Sequence, residues 1–140
     1  VNELDPIDAW LAAQLAATVA SYPAPTQRLC SDPPAPATTP YPFVQWQYLG
    51  GPGDTNCLGD QRCLVTADYL VEAVVDEDHY AALAPVADAI DAALHAQHAQ
   101  VQGPVLIDCL RQRLSRRRTV EGGQSFYFRG GVYRIWAAPS

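Results

Sequence analysis

The sequence predicts an α+β fold: a mixed or antiparallel β-sheet built around one long hairpin and flanked by two helices, in the order α-β-β-α-β-β-β. Three observations predict it. Residues 43–75 hold two runs dense in Val, Leu, Tyr, Phe and Trp on either side of a Gly-rich middle, as a long hairpin would. Apolar residues recur at helical spacing near the N-terminus and again after Asp76. The C-terminal third reads as strands punctuated by Gly pairs. At 140 residues the chain is one domain by size, able to bury roughly two-thirds of the surface its unfolded form exposes.

The first helix starts at Asp5-Pro6, an N-cap followed by proline at the first helical position. Its apolar stripe is Ile7, Trp10, Leu11 and Leu15, and it stops near Ala20, before Tyr22-Pro23. Residues 21–42 carry seven prolines, which exclude a helix and allow a strand only at a sheet edge. A short edge strand is expected at Leu29-Cys30, within an extended arm that lies either over its own subunit, the default, or on a neighbour. The first hairpin strand alternates Val44, Trp46 and Tyr48 with Gln45 and Gln47. Residues 50–61 are too many for a tight turn and are expected as a long loop. The second strand runs over residues 62–75, far longer than the usual five or six, so part of it should project beyond the core with the loop.

Residues 76–78, Asp-Glu-Asp, offer N-caps for a second helix with Leu83, Ala87, Ile90 and Leu94 on its stripe. Pro85 implies a bend in that helix, or a single turn followed by a helix beginning at Pro85; the bend is the preferred reading. A strand is expected over residues 105–114, a turn at Glu121-Gly122-Gly123, and a terminal hairpin whose two strands meet at Gly130-Gly131.

A formal charge of −6 and a pI near 4.8 argue against a protein whose main task is gripping nucleic acid, since that affinity rests on cations facing phosphates. No apolar run approaches the roughly 20 residues of a membrane span, and the N-terminus has no signal-peptide pattern, so a soluble, non-secreted protein is expected. All nine basic residues are Arg. The four cysteines, Cys30, Cys57, Cys63 and Cys109, form no CxxC pair, which argues against zinc. A Cys57–Cys63 disulfide across the hairpin loop is conceivable; the plainer reading makes Cys63 and Cys109 small apolar core residues.

The histidines, His79, His95 and His98, are placed at or near the second helix, and two at a spacing of three are a weak metal signal. No nucleophile elbow, phosphate-binding loop or zinc-protease motif occurs, and Gly50-Gly51-Pro52-Gly53 leads into a strand and not a helix N-terminus. Catalysis, cofactors and metals are therefore not expected. The sharpest electrostatic feature is Arg111, Arg113, Arg116, Arg117 and Arg118. It is either a solvated strand end or a basic patch facing DNA or an acidic partner; without interleaved aromatics, sequence-specific or single-strand binding is unsupported.

Four stretches in order, YPFVQWQYLGG, LVEAVVDEDHYAALAPVADAIDAALH, LIDCLRQRL and FYFRGGVYRIW, resemble the tail terminator, or tail-completion, proteins of long-tailed bacteriophages and related gene transfer particles. The resemblance covers nearly everything after Tyr41, and residues 6–19 match that family's opening helix; it is one of pattern and order, with no catalytic signature. It implies a non-enzymatic virion component of the tail or neck, assembled in the host bacterial cytoplasm. Copies would form a ring, hexameric in that family's manner, that ends tail-tube polymerisation and meets the head connector. Its partners would be itself, the tail tube protein, the head-closure or connector protein, and packaged DNA passing without specific recognition. Subunit-interface candidates are Asp54, Thr55, Asn56, Leu58 and Arg62 on the hairpin, with Arg111, Arg113, Arg116, Arg117 and Arg118. The alternatives are a head-closure or other neck protein and, from another class, a DNA-binding accessory protein using residues 111–118.

Overall fold

The computed structural model describes residues 4–56 and 62–139. Helix α1 spans Leu4–Ala16 and tightens into a 3-10 turn at Ala17–Val19. Asp5 lies inside its first turn, so the helix starts earlier than the expected Asp5 cap. Ile7, Trp10, Leu11 and Leu15 are all buried, as their spacing requires. Between the strands and the second helix, a 3-10 segment at Glu77–Ala82 is capped by the Asp76 carboxylate, which accepts the His79 backbone N–H at 3.1 Å. Helix α2 follows at Leu83–Leu94. The preferred bend at Pro85 is not what forms: a separate turn precedes the helix, and Pro85 sits in its first turn, where an N–H would have no intrahelical acceptor. Leu83, Ala87, Ile90 and Leu94 are buried.

Six strands form one mixed sheet in the order β1-β2-β3-β6-β5-β4. They are β1 (Leu29–Ser31), β2 (Phe43–Asn56), β3 (Arg62–Asp76), β4 (Gln97–Gln102), β5 (Val105–Glu121) and β6 (Gln124–Pro139). Among the described residues only the β1–β2 pair is parallel, and β1 is the edge strand expected at Leu29-Cys30.

Four further expectations, all concerning the sheet, need correction. Residues 50–61 are not one long loop: β2 continues to Asn56 and β3 begins at Arg62, through register shifts after Tyr48 and Gly50. Gly50, at φ +96°, lets the chain make that irregular step, and a Cβ on Gly51 would lie 2.5 Å from the Thr66 carbonyl oxygen. Secondly, Gly130-Gly131 is not a turn. Strand β6 runs straight through it, with Gly130 opposite Glu72 and Gly131 opposite Val71. The two-residue turn is Gly122-Gly123, φ +58° and +78°, which joins β5 to β6. Thirdly, β5 does not stop near Leu114 but carries the whole Arg run to Glu121. Lastly, β4 was not expected at all, and it takes His98 off the end of α2 and onto a strand.

One face of the sheet packs on both helices. Val44 and Trp46 of β2, Tyr69 and Val71 of β3, Ile107 and Cys109 of β5, and Tyr133 and Ile135 of β6 meet the stripes of α1 and α2 in a single core. Each fully buried large apolar side chain there contributes about 1.5–3 kcal/mol over an exposed one. The other face is covered at one end only. There the proline-rich arm takes the path over its own subunit, with Pro33, Pro36 and Tyr41 across from Phe43, Val74, Phe126 and Phe128 around a cavity of about 280 Å³. Arg28, only 7% exposed, fastens both ends of the arm, donating from Nε to the Pro23 carbonyl at 2.7 Å and from Nη1 to the Pro42 carbonyl at 3.1 Å.

Candidate functional site

The long strands leave backbone unpaired on both sides of the sheet. β4 pairs with β5 only as far as Cys109, so among the described residues no strand pairs with the outer side of β5 over residues 110–121. β1 pairs with β2 only at Val44–Trp46, so residues 47–56 of β2 form a second open edge. Such edges invite another strand and are ordinarily blunted by charge, bulges or proline. Among the described residues, seven of the eight large apolar side chains left exposed lie on these edge strands. They are Tyr48 and Leu49 on β2, and Val101, Leu106, Leu110, Leu114 and Val120 on β4 and β5. Leu114 is 71% exposed.

The Arg run does not form one patch, because consecutive residues of a strand point to opposite faces. On the arm face, Arg117 grips the buried Glu72 carboxylate through Nη2 to Oε1 at 3.0 Å and Nε to Oε2 at 3.2 Å, while its guanidinium lies 3.8 Å from the Phe128 ring centre. Gln45 donates to the same carboxylate at 3.3 Å, so Glu72, 1% exposed, is held by two side chains. On the helix face, Arg118 donates to the Ser125 hydroxyl at 2.8 Å, and Arg111 pairs with Asp91 of α2 at 3.1 Å. Tyr133 also donates to Asp91, at 3.0 Å. Burial and that bond, which consumes the hydroxyl proton, push the Tyr133 phenol well above its ordinary value. Three of the five arginines thus work inside the subunit; Arg113 and Arg116 stand exposed on the open β5 edge.

Asp54, Thr55 and Asn56 lie on β2 opposite Val65, Leu64 and Arg62 of β3. Leu58 falls outside the described residues, as does the Cys57 half of the conceivable disulfide. Among the described residues, the two candidate sets do not come together within one chain. Reading the register across the sheet, Asp54 sits level with Val65, Ala137 and Ile107, whereas Arg116 sits level with Arg129, Ala73 and Val44. Glu72 is the buried charge that local sequence did not single out, since nothing near it in the chain names Arg117 as partner.

The histidines act locally. His98 Nδ1 meets Asp108 at 2.9 Å, His95 Nδ1 accepts the Arg111 backbone N–H at 3.1 Å, and His79 Nδ1 meets Asp76 at 2.6 Å. The Cys109 thiol is buried under α2 and pushed up to about 12 by that burial, the reverse of what activates a nucleophile. Burial, and then the charge of Asp32, also raises Cys30. No group of three or more His, Cys, Asp or Glu side chains suited to a metal ion occurs among the described residues. No helix among them is long and apolar enough to cross a membrane.

No family model matches the chain, and no curated protein matches it in sequence. Solved structures do match in fold. One is a chain of the virion of a native gene transfer agent particle, 16% identical, covering 91% of this chain and 93% of that one at a TM-score of 0.55. A second solved chain, described without a function, is 13% identical over 98% of this chain and 96% of its own, at a TM-score of 0.61. At these identities the likeness is one of fold: the same α+β arrangement recurs over essentially the full length of both chains.

Proposed function

We propose that this chain is a structural subunit of a phage-type virion, which joins copies of itself into a ring at the head-proximal end of a tail, ends tube growth there and meets the head connector. The observation that carries the reading is the end-to-end likeness in fold to a chain of a gene transfer agent virion, with neither chain keeping a large unmatched part. The open edges support it, since a subunit that meets its copies can pair strands that a solitary protein must blunt. The reading is non-enzymatic, with the tail tube protein and the connector as partners and DNA passing through the ring. A net charge of −6 suits a pore that repels DNA and lets it slide.

Sedimentation and negative-stain microscopy of the purified chain test this reading. Rings, or monomers that assemble only on the ends of added tail tubes, are the expected result. A monomer that ignores tail tubes and instead binds DNA in a steeply salt-dependent way would overturn it in favour of the DNA-binding alternative. A head-closure role differs in that the ring binds portals and leaves bare tubes alone.

A further inference from the structure

The strand register itself describes how two copies would fit. At the level of residues 71–73 of β3, the row across the sheet is β1, β2, β3, β6, β5, with β1 projecting on one side and β5 bare on the other. At the level of residues 65–67 of β3, the row is β2, β3, β6, β5, β4, with β2 bare and β4 projecting. Both rows are five strands wide, merely offset by one strand. The right side of one copy is therefore the complement of the left side of the next: β4 fills the notch beside β2, and β1 fills the notch beside β5.

We propose that a second copy of this chain docks edge to edge in this lapped fashion, deepening the ring reading on which it rests. Strand directions permit it. The β1 of one copy would run antiparallel to β5 of its neighbour, and β4 parallel to β2, both ordinary sheet pairings. Backbone groups are available on the β5 side. The Gly122-Gly123 turn makes Glu121 and Gln124 its closing pair, so the N–H and C=O of Leu114, Arg116, Arg118 and Val120 face outward.

Charge selects the partner. The open β5 edge carries the exposed Arg113 and Arg116, so pairing two β5 edges would set arginine against arginine. The β1 side presents exposed Asp32, whose backbone N–H extends the β1–β2 pairing by bonding to the Trp46 carbonyl at 3.0 Å. Following the register, Ser31 is level with Trp46, Val71, Gly131 and Leu114, which puts Asp32 one step on, at the height of Arg113. The same joint covers Leu114, the large apolar side chain that the lone subunit leaves 71% exposed on that edge. Unlike edges meeting head to tail close into a ring when the rotation per copy divides the circle.

The test uses the full-length chain and measures assembly by sedimentation. Arg113→Glu and Asp32→Lys, each alone, should weaken assembly about tenfold or more, and the two together should restore it, because the pair is exchanged and not removed. Leu114→Pro, which removes an outward-facing N–H, should block assembly while circular dichroism shows a folded monomer. If wild type forms rings and these variants form them equally well, or the double exchange fails to rescue, the lapped joint is overturned and the ring reading stands. If wild type never assembles, even on tail tubes, both fall.

Discussion

Gly130 offers the sharpest test of the fold, because sequence and structure give it opposite roles. A turn glycine tolerates alanine at a cost of roughly 1 kcal/mol, the left-handed penalty alone. In the folded chain Gly130 is instead mid-strand, and a Cβ built on it would lie 1.9 Å from the Val71 carbonyl oxygen and 2.8 Å from the Glu72 Cα. Ordinary contact begins near 3.4 Å, so two paired strands must separate by over an ångström at a buried position. Neither atom belongs to a side chain that can swing aside. Overpacking of this kind costs about 1–3 kcal/mol, and the lost β3–β6 hydrogen bonds put Gly130→Ala at or above the upper end. At roughly 3–4 °C per kcal/mol for a domain of this size, the thermal midpoint should fall by about 10 °C. Gly122→Ala is the control, since it has positive φ but nothing within 4 Å of the added carbon. Calorimetry or thermal circular dichroism reads both variants. If Gly130→Ala is no more damaging than Gly122→Ala, Gly130 is a turn residue and β6 does not run through it.

Other perturbations separate internal arginines from edge arginines. Arg117→Met should cost about 2 kcal/mol in urea denaturation, allowing for water at its half-exposed guanidinium, because it leaves the Glu72 carboxylate buried with Gln45 alone. Glu72→Gln in the same chain should recover more than half, and an Arg117→Met loss below about 0.5 kcal/mol would refute the pairing. Arg113→Gln with Arg116→Gln, by contrast, should leave the monomer's stability within about 0.5 kcal/mol, as for any exposed site. Ile90→Ala, fully buried between α2 and the sheet, should cost about 2–5 kcal/mol; a smaller loss would mean the helix is loosely docked. Because the Cys109 thiol is raised in the fold to about 12 from an ordinary 9.0, the unfolded chain ionises first. Its contribution is present below about pH 9 and declines as pH rises towards 12, so the urea midpoint should fall more steeply between pH 8 and 10 in wild type than in Cys109→Ala. Equal slopes would refute that assignment.

Periodicity within a short window was enough for the helices and for the existence of most strands. Ile7, Trp10, Leu11 and Leu15 share a face because 3.6 residues make a turn, whatever they pack against. The prolines of residues 21–42 confined β1 to an edge on equally local grounds, since a residue without an N–H cannot serve a central ladder. β4 was invisible because its polar run QHAQVQ becomes a strand only by pairing with β5. Gly122-Gly123 and Gly130-Gly131 are the same dipeptide, and nothing beside them tells which turns and which lies flat against β3. The partners of the arginines were hidden likewise: Glu72 and Arg117 are 45 residues apart and meet only because β3, β6 and β5 lie side by side. The composition and local spacing alone determined an α+β chain with two amphipathic helices and unusually long strands. Tertiary structure decided which glycines bend the chain, which charges are consumed inside it and which edges stay open, because strand pairing is set by residues far apart in sequence competing for the same backbone groups.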